Sequence, residues 1–451
     1  MTPDTQNNYL VAVIGAGPAG LYAARQLAKE GSSVVLINRD IKPGGLAEYG
    51  IFHNKHKMKA GLRKQFTKIL ADPKIHYYGN VSIGENGDLT LDDLRSLGFQ
   101  AIMVAAGAQG TKWLGLPGED LIGVYHAKDV VYHYNKLPPF STREFHIGRR
   151  VAIIGVGNVM MDIAHWCIRD LKVDEVIAVA RRGPAEVKFT KKEMQNLARN
   201  LDQSTLEAEI ERVSDRMLAV DQDPEAAKAF ILSAFPKALD PVSDTVFRFE
   251  FMTSPSRMLG DETGHVIGLE VDDTRLVLKD GVTKADRLGT KRVLDVQTVI
   301  FCIGDKVDEG FGLPVEWNEF VKHPEPRFPV NGASFEAYDP QAETPIEGVF
   351  VSGWSRKAST GLVGVARKDG EAGARAVLAY LADKPPIEDH QRVIAALEGQ
   401  LSTSGKRIVN AADITHLNAV EGAEAERLGL IEYKMKSNAE MLAAITRPIP
   451  Q

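Results

Sequence analysis

Val11-Ala12-Val13-Ile14-Gly15-Ala16-Gly17-Pro18-Ala19-Gly20 runs from an unbroken apolar stretch into a glycine turn. The apolar residues read as a buried strand, and the residues after the turn read as a helix. In that setting each glycine has its own task. Gly15 makes the tight turn, Gly17 leaves room for a pyrophosphate, and Gly20 lets helix and strand pack closely. A second stretch, Val151-Ala152-Ile153-Ile154-Gly155-Val156-Gly157-Asn158-Val159-Met160, repeats the pattern with Met160 in the third place. The strand after the first turn, Val34 to Ile37, ends at Asn38; the strand after the second, Val176 to Val179, leads to Arg181-Arg182. A carboxylate at that point would bind a ribose hydroxyl pair, and Asn38 offers a hydrogen bond there without the charge. The arginine pair offers planar forks of donors and fixed charge, which suit a ribose 2′-phosphate. The chain therefore reads as an α/β protein holding two dinucleotides, the second of them NADP.

Composition bounds the rest. A chain of 451 residues is too long for one compact core and suits two or three domains. Its 44% hydrophobic and 25% charged residues are ordinary for a globular protein, and a net charge of −6 implies neither nucleic acid nor a membrane as partner. The only cysteines, Cys167 and Cys302, lie far apart, so the chain has no Cys-x-x-Cys redox pair and cannot ligate an iron–sulfur cluster by itself. That usage fits a reducing compartment. Met1 to Asn8 has no basic or apolar targeting character, and no apolar run is long enough to span a bilayer. A cytoplasmic protein without a protein-bound metal is expected.

The two fingerprint units form a weak internal repeat, which two nested copies of one Rossmann-like fold would explain. A first domain of residues 1–108 and 330–451 is expected to be split by a second of residues 109–329. Between them the chain carries the glycine turn Pro43-Gly44-Gly45, the crossing segment Leu116-Pro117-Gly118 and a polar, helix-like stretch from Gln195 to Leu239. Alternating strands are expected from Phe247 to Val277, a buried strand at Thr298 to Ile303, and a strand, turn and helix over Val349 to Asp369. The tail from Leu417 reads as helical.

Three further features point to chemistry. Gly353-Trp354 precedes Ser359-Thr360-Gly361-Leu362, where a glycine-bounded helix N-terminus can aim N–H groups at the anionic edge of a reduced flavin, with Trp354 beside the ring. Lys55, His56, Lys57, Lys59, Arg63 and Lys64 form a basic patch on an acidic chain. It reads either as a solvated helix face or as a docking surface for an acidic electron carrier. Asp162 and His165 on the second fingerprint helix read as structural, with Asp162 able to line the cofactor cleft.

Together these residues resemble the adrenodoxin-reductase type of ferredoxin–NADP reductase, over nearly the whole chain. Tyr78-Gly79-Asn80-Val81 and Gly107-Ala108 look like the family's first-domain segments, and Leu116-Pro117-Gly118-Glu119 through Tyr134-Asn135 looks like its crossover. Arg181-Arg182-Gly183-Pro184, with Phe189-Thr190 and Lys192-Glu193, matches its 2′-phosphate loop and is the most specific signal. The resemblance implies FAD in the first site, with Gly15, Gly17, Pro18, Ala19, Gly20, Asn38, Gly45, Leu46, Gly107, Gly353, Trp354, Gly361 and Leu362 as contacts. It implies NADP(H) in the second, held by Gly155, Gly157, Asn158, Val159, Arg181, Arg182 and Glu193. Hydride would pass to the flavin, and electrons would leave singly to a ferredoxin-like iron–sulfur protein docking near Lys55, Lys57, Lys59, Arg63 and Lys64. Trp354, Asp162, His53 and His56 are the candidates for catalysis; the two histidines are the nearest counterparts of the family's Asp-His pair, out of register with it. Asn38 replaces the family's Glu, Met160 its Ala, and Arg356-Lys357-Ala358-Ser359 a Lys/Arg-Arg-Gly-Pro run. Three alternatives stay open: a flavin oxidoreductase acting on a small molecule or quinone, an electron-input subunit of a larger complex, and a non-catalytic nucleotide-sensing flavoprotein.

Overall fold

A computed structural model describes residues 8–279 and 281–447. Residues 1–7, which carry most of the N-terminal stretch without targeting character, lie outside it. The chain divides into two units. The first is Met1–Thr111, Tyr132–Thr142 and Gly304–Gln451; the second is Lys112–Val131 and Arg143–Ile303.

The first unit starts as the glycine pattern dictates: β1 (Leu10–Ile14), α1 (Pro18–Lys29), β2 (Ser33–Asn38), α2 (His56–Leu70), β3 (Ile75–Gly79) and β4 (Ala101–Val104). In β1 side chains alternate between two cores. Val11 and Val13 face one; Leu10, Ala12 and Ile14 face the other. Both faces are covered, which is why the strand is apolar without interruption.

The second unit repeats the plan with β5 (Val124–His126), β6 (Arg150–Ile154), α3 (Asn158–Trp166), β7 (Glu175–Val179), α4 (Gln203–Leu218), α5 (Pro224–Leu232) and β8 (Val246–Glu250). The polar stretch from Gln195 thus resolves into two helices, each begun by an aspartate cap, Asp202 and Asp223. Then come β9 (Thr253–Gly260), β10 (Val266–Lys279), β11 (Val282–Leu294) and β12 (Thr298–Phe301). The parallel sheet has the order β5-β12-β6-β7-β8, and β9-β10-β11 form a separate antiparallel sheet.

The chain re-enters the first unit at Gly304, earlier than the expected 330. The reason is local packing. Asp305-Lys306 pairs antiparallel with Gly110-Thr111, and Phe311, Leu313 and Phe320 join the core that holds Leu10 and Ala12. Tyr132–Thr142 also belongs to the first unit, because Tyr132 and Leu137 cluster with Tyr49. The return supplies β13 (Glu336–Asp339), β14 (Thr344–Val351), α6 (Val363–Leu381), α7 (His390–Ser402), α8 (Ala411–Arg427) and α9 (Asn438–Ile445). The completed sheet has the order β13-β14-β4-β1-β2-β3. Strands β4, β1, β2 and β3 are parallel, as is β14 on β4, and only β13 runs antiparallel. Among the described residues no helix is long and apolar enough to cross a membrane.

Candidate functional site

The first glycine turn is built as its spacing predicts. Gly15 has φ +101°, and a Cβ there would stand 2.5 Å from the Ala105 carbonyl oxygen. A Cβ on Gly20 would stand 1.8 Å from the Gly15 carbonyl oxygen, so α1 lies directly on the turn. Gly17 is different: a Cβ there would meet nothing within 4 Å. The open glycine is the one that the pyrophosphate reading requires to be open. The Pro43-Gly44-Gly45 loop folds against the same point. Gly44 donates its N–H to the Ala16 carbonyl at 2.7 Å, and a Cβ on Gly45 would lie 3.1 Å from the Gly17 Cα. Leu46 opens the short helix after it.

Asn38 does not take the ribose role expected of it. It is buried, its oxygen accepts from the Ala16 N–H at 3.0 Å, and its amide donates to the Asp40 carbonyl at 2.8 Å and the Lys42 carbonyl at 3.1 Å. Both amide hydrogens are taken, so Asn38 staples the glycine turn to the loop after β2.

In the second unit Gly155 has φ +126°, and a Cβ would stand 2.4 Å from the Cys302 carbonyl oxygen. Gly157, like Gly17, faces open space. Met160 is fully buried, and α3 accommodates it. Val159 is 46% exposed, and Asn158 accepts from the Thr190 N–H at 2.9 Å, tying the turn to the loop after β7. Asp162 is half-buried one turn beyond Asn158 on the same helix face. Arg181 is exposed and Arg182 half-buried. Glu193 accepts from the Asn196 amide at 3.2 Å.

The helices differ in how they begin. α4, α5, α7, α8 and α9 each begin on a side-chain cap. α1 and α3 begin on Gly17 and Gly157, and α6 on Leu362, with no side-chain cap; α2, which begins on Lys55, lacks one too. At the two glycine turns the first N–H groups are thereby left to an anion.

The segment before α6 is tightly held. Gly353 has φ +63°, and a Cβ there would lie 2.6 Å from the Ala19 Cβ; one on Gly370 would lie 2.1 Å from the Ala19 carbonyl oxygen. Gly107 donates its N–H to the Ser355 hydroxyl at 2.9 Å, and Gly353 donates to Asp369 at 2.6 Å. Trp354 is half-buried and donates its indole N–H to the Thr360 carbonyl at 3.0 Å, which fixes its ring, and Gly361 and Leu362, next in the chain, are exposed.

His53 packs on Phe52 and Tyr134, with ring centroids 4.5 and 5.7 Å away, and His56 Nδ1 lies 3.3 Å from a Glu432 oxygen. His56 belongs to a buried charge network. Arg63 binds Glu48 through two hydrogen bonds of 2.6 Å and also pairs with Glu432. Lys434 lies 2.8 Å from Glu48, Lys59 lies 3.5 Å from Glu432 and 3.2 Å from the Asn135 oxygen, and Lys42 pairs with Glu421. Burial alone would raise the Glu48 carboxyl, but Lys434, Lys42 and Arg63 outweigh it and hold the group far below the usual carboxylate range. Burial, with Lys434 behind it, pushes the Lys59 ammonium down to about 8.

This network corrects the basic-patch expectation: Lys59 is 1% exposed and Arg63 is paired twice, so neither presents itself to a partner. Lys57 and Lys64 are exposed, and Lys55 half-buried. The network and the contacts of Ser355 and Gly370 are structural supports that sequence reasoning missed. For the first there was a signal: Lys59, Arg63, Phe66 and Leu70 share one helical stripe, and Phe66 and Leu70 are core.

Residues 9–226 match the model of the pyridine nucleotide-disulphide oxidoreductases. The chain is 28% identical over 466 residues to the NADPH-ferredoxin reductase FprA of Mycobacterium leprae, covering 96% of this chain and 97% of that one. It is 26% identical to the mitochondrial NADPH:adrenodoxin oxidoreductase of Homo sapiens, covering 96% and 91%. Among solved structures, Mycobacterium tuberculosis FprA in complex with NADPH superposes with a TM-score of 0.80 at 25% identity, over 97% of this chain and 100% of that one. Over its whole length, and on a fold with a glycine turn in each unit, the chain is similar to the NADPH-ferredoxin and adrenodoxin reductases.

Proposed function

We propose that the chain oxidises NADPH by way of a bound FAD and hands the electrons singly to a ferredoxin-like iron–sulfur protein. The observation that carries this is the presence of two open glycine turns in one chain, with an arginine pair at the second alone. FAD, when bound, supplies the conversion between a two-electron donor and a one-electron acceptor. The chain's residues bind and orient. Gly17 and the start of α1 hold the FAD pyrophosphate, Gly45 and Leu46 close over it, and Gly107 with Gly353 to Leu362 flanks the flavin. Trp354, fixed by Thr360, gives that side a rigid flat wall. Gly157, Asn158 and Val159 hold the NADPH pyrophosphate; Arg181 and Arg182 meet its 2′-phosphate. Having only two cysteines, far apart, supports a cytoplasmic setting, which cell fractionation checks.

Anaerobic mixing of the as-isolated protein with NADPH is expected to bleach its flavin absorbance fast, and NADH slowly. Changing Arg181 and Arg182 both to Gln is expected to lower the preference for NADPH by on the order of 10- to 100-fold. Flavin untouched by NADPH, or a preference unchanged by the double variant, sinks the proposal.

For the carrier, the exposed Lys57 and Lys64, with Lys55 beside them, are the basic surface that remains. Lys57→Glu with Lys64→Glu is expected to raise KM for ferredoxin about threefold or more at low salt, through lost charge complementarity. The ferricyanide rate should not move; an unchanged ferredoxin KM would put docking elsewhere.

A further inference from the structure

Arg182 already has an anion beside it. The Thr274 hydroxyl donates to the Arg181 carbonyl at 2.7 Å, and the Met252 N–H donates to the Arg182 carbonyl at 3.1 Å, so the backbone of the pair is fixed by β10 and by the residue before β9. The chain then turns at Gly183-Pro184, and the Glu186 N–H donates to the Gly183 carbonyl at 3.1 Å. This turn brings Glu186 Oε1 to 3.4 Å from Arg182 Nη1, with side chains 14% and 33% exposed. The pair is incompletely satisfied. Arg182 Nε and Glu186 Oε2 are both buried without a hydrogen-bond partner among the described residues. Arg181, by contrast, is exposed and in no ion pair among the described residues.

We propose that Glu186 is a specificity-determining residue: it competes with the ribose 2′-phosphate for Arg182, and so weakens the grip on NADP(H) relative to what the arginine pair alone would give. The inference rests on the function proposed for the chain. Two effects act in the same direction. A phosphate reaching the Arg182 fork must share donors with a carboxylate already there, and the phosphate dianion and Glu186 repel each other within a few ångströms. Arg181 is then the open half of the clamp and Arg182 the tempered half. A coenzyme that must leave after each turnover is served by a clamp that is not fully closed.

The test is calorimetric titration of the flavin-loaded protein with adenosine 2′-phosphate and, as control, adenosine 5′-phosphate. Glu186→Gln keeps the side chain's shape and removes its charge. It is expected to tighten adenosine 2′-phosphate about fivefold and leave the 5′-isomer unchanged, the gain shrinking as salt is added. Arg182→Gln is expected to weaken the 2′-isomer about tenfold. If Arg182→Gln weakens binding while Glu186→Gln leaves it unchanged or weaker, Glu186 merely orients Arg182 and the inference is overturned, with the site intact. If Arg181→Gln and Arg182→Gln both leave the 2′-isomer unaffected, the site itself is wrong and the inference falls with it. Glu186→Ala guards against a fold artefact in the Gln variant and should move in the same direction.

Discussion

The two glycine turns of this chain share a backbone plan and differ in how tightly the third position and the next loop close on it. In the first, Gly20 lets α1 lie on the turn, with the Leu21 N–H 2.9 Å from the Gly17 carbonyl. Asn38 staples the turn to the next loop, and Gly45 closes against Gly17. In the second, buried Met160 stands in the third place and the matching hydrogen bond, Met161 to Gly157, is 3.3 Å. Its arginines sit on the loop after β7, Arg181 in solvent. What both turns keep is an open second glycine. The third glycine of the first turn therefore serves helix–strand packing, and the second, open in both turns, is free for the ligand role proposed for it. A welded turn suits a cofactor retained through every cycle, and a slacker one a coenzyme that comes and goes.

The largest effect should come from forcing a side chain into the welded turn. Gly20→Ala places a Cβ 1.8 Å from a carbonyl oxygen of the backbone, which cannot step aside without opening α1 from β1. A loss of about 3 kcal/mol or more is expected, with protein isolated free of flavin. The flavin-to-protein absorbance ratio and the melting temperature read it directly. A stable, yellow Gly20→Ala protein would erase the distinction between the two turns.

A smaller and more selective effect is expected at the open glycines. Gly17 and Gly157 have negative φ, −75° and −106°, and empty space where Cβ would go. Alanine there should leave stability within about 1 kcal/mol, or raise it slightly. The ligand loses its approach instead. Gly17→Ala should lower flavin retention, and Gly157→Ala should raise KM for NADPH about tenfold while the flavin stays bound. Stability and ligand binding failing together at either position would mean that the second glycine is structural after all.

These contrasts also show which parts of the molecule were legible in sequence. The strands β1 and β6 were, because burial on both faces leaves an unbroken apolar run. The backbone demands at Gly15 and Gly20 and the open space at Gly17 were, because spacing on a turn fixes them within six residues. Asn38 was misread, because its role depends on the Ala16 N–H and the Lys42 carbonyl, whose directions only the folded loop sets. The early return to the first unit at Gly304 was hidden in a two-residue strand, Asp305-Lys306, too short to show any period. Lys59 and Arg63 looked like surface, since their carboxylate Glu432 lies some 370 residues away in the chain, a contact no local pattern carries. The helical stripe they share with Phe66 and Leu70 was the one available hint.

The smallest expected effect concerns that same network, which braces the first turn from behind through Glu48, two residues after Leu46. Lys59 is held among Glu432, Asn135, Lys434, Glu48 and Arg63, and its ammonium titrates near 8 in the folded chain against 10.5 for an ordinary lysine. Between those values the unfolded chain binds more protons than the folded one. Stability contributed by this group therefore rises as pH goes from about 8 to about 10.5, and its full cost is present below 8. Burial pushes Lys434 in the same direction and should add to the slope. The limit for Lys59 alone is roughly 3 kcal/mol, before water entry and neighbour relaxation reduce it. Urea midpoints at neutral, mildly alkaline and strongly alkaline pH should drift upward in the native chain relative to Lys59→Met, in which that drift is flattened. Parallel drifts in the two proteins would mean that Lys59 reaches water, and the first turn would then be held by the Asn38 and Gly44 hydrogen bonds without help from this charge, much as Asn158 ties the second.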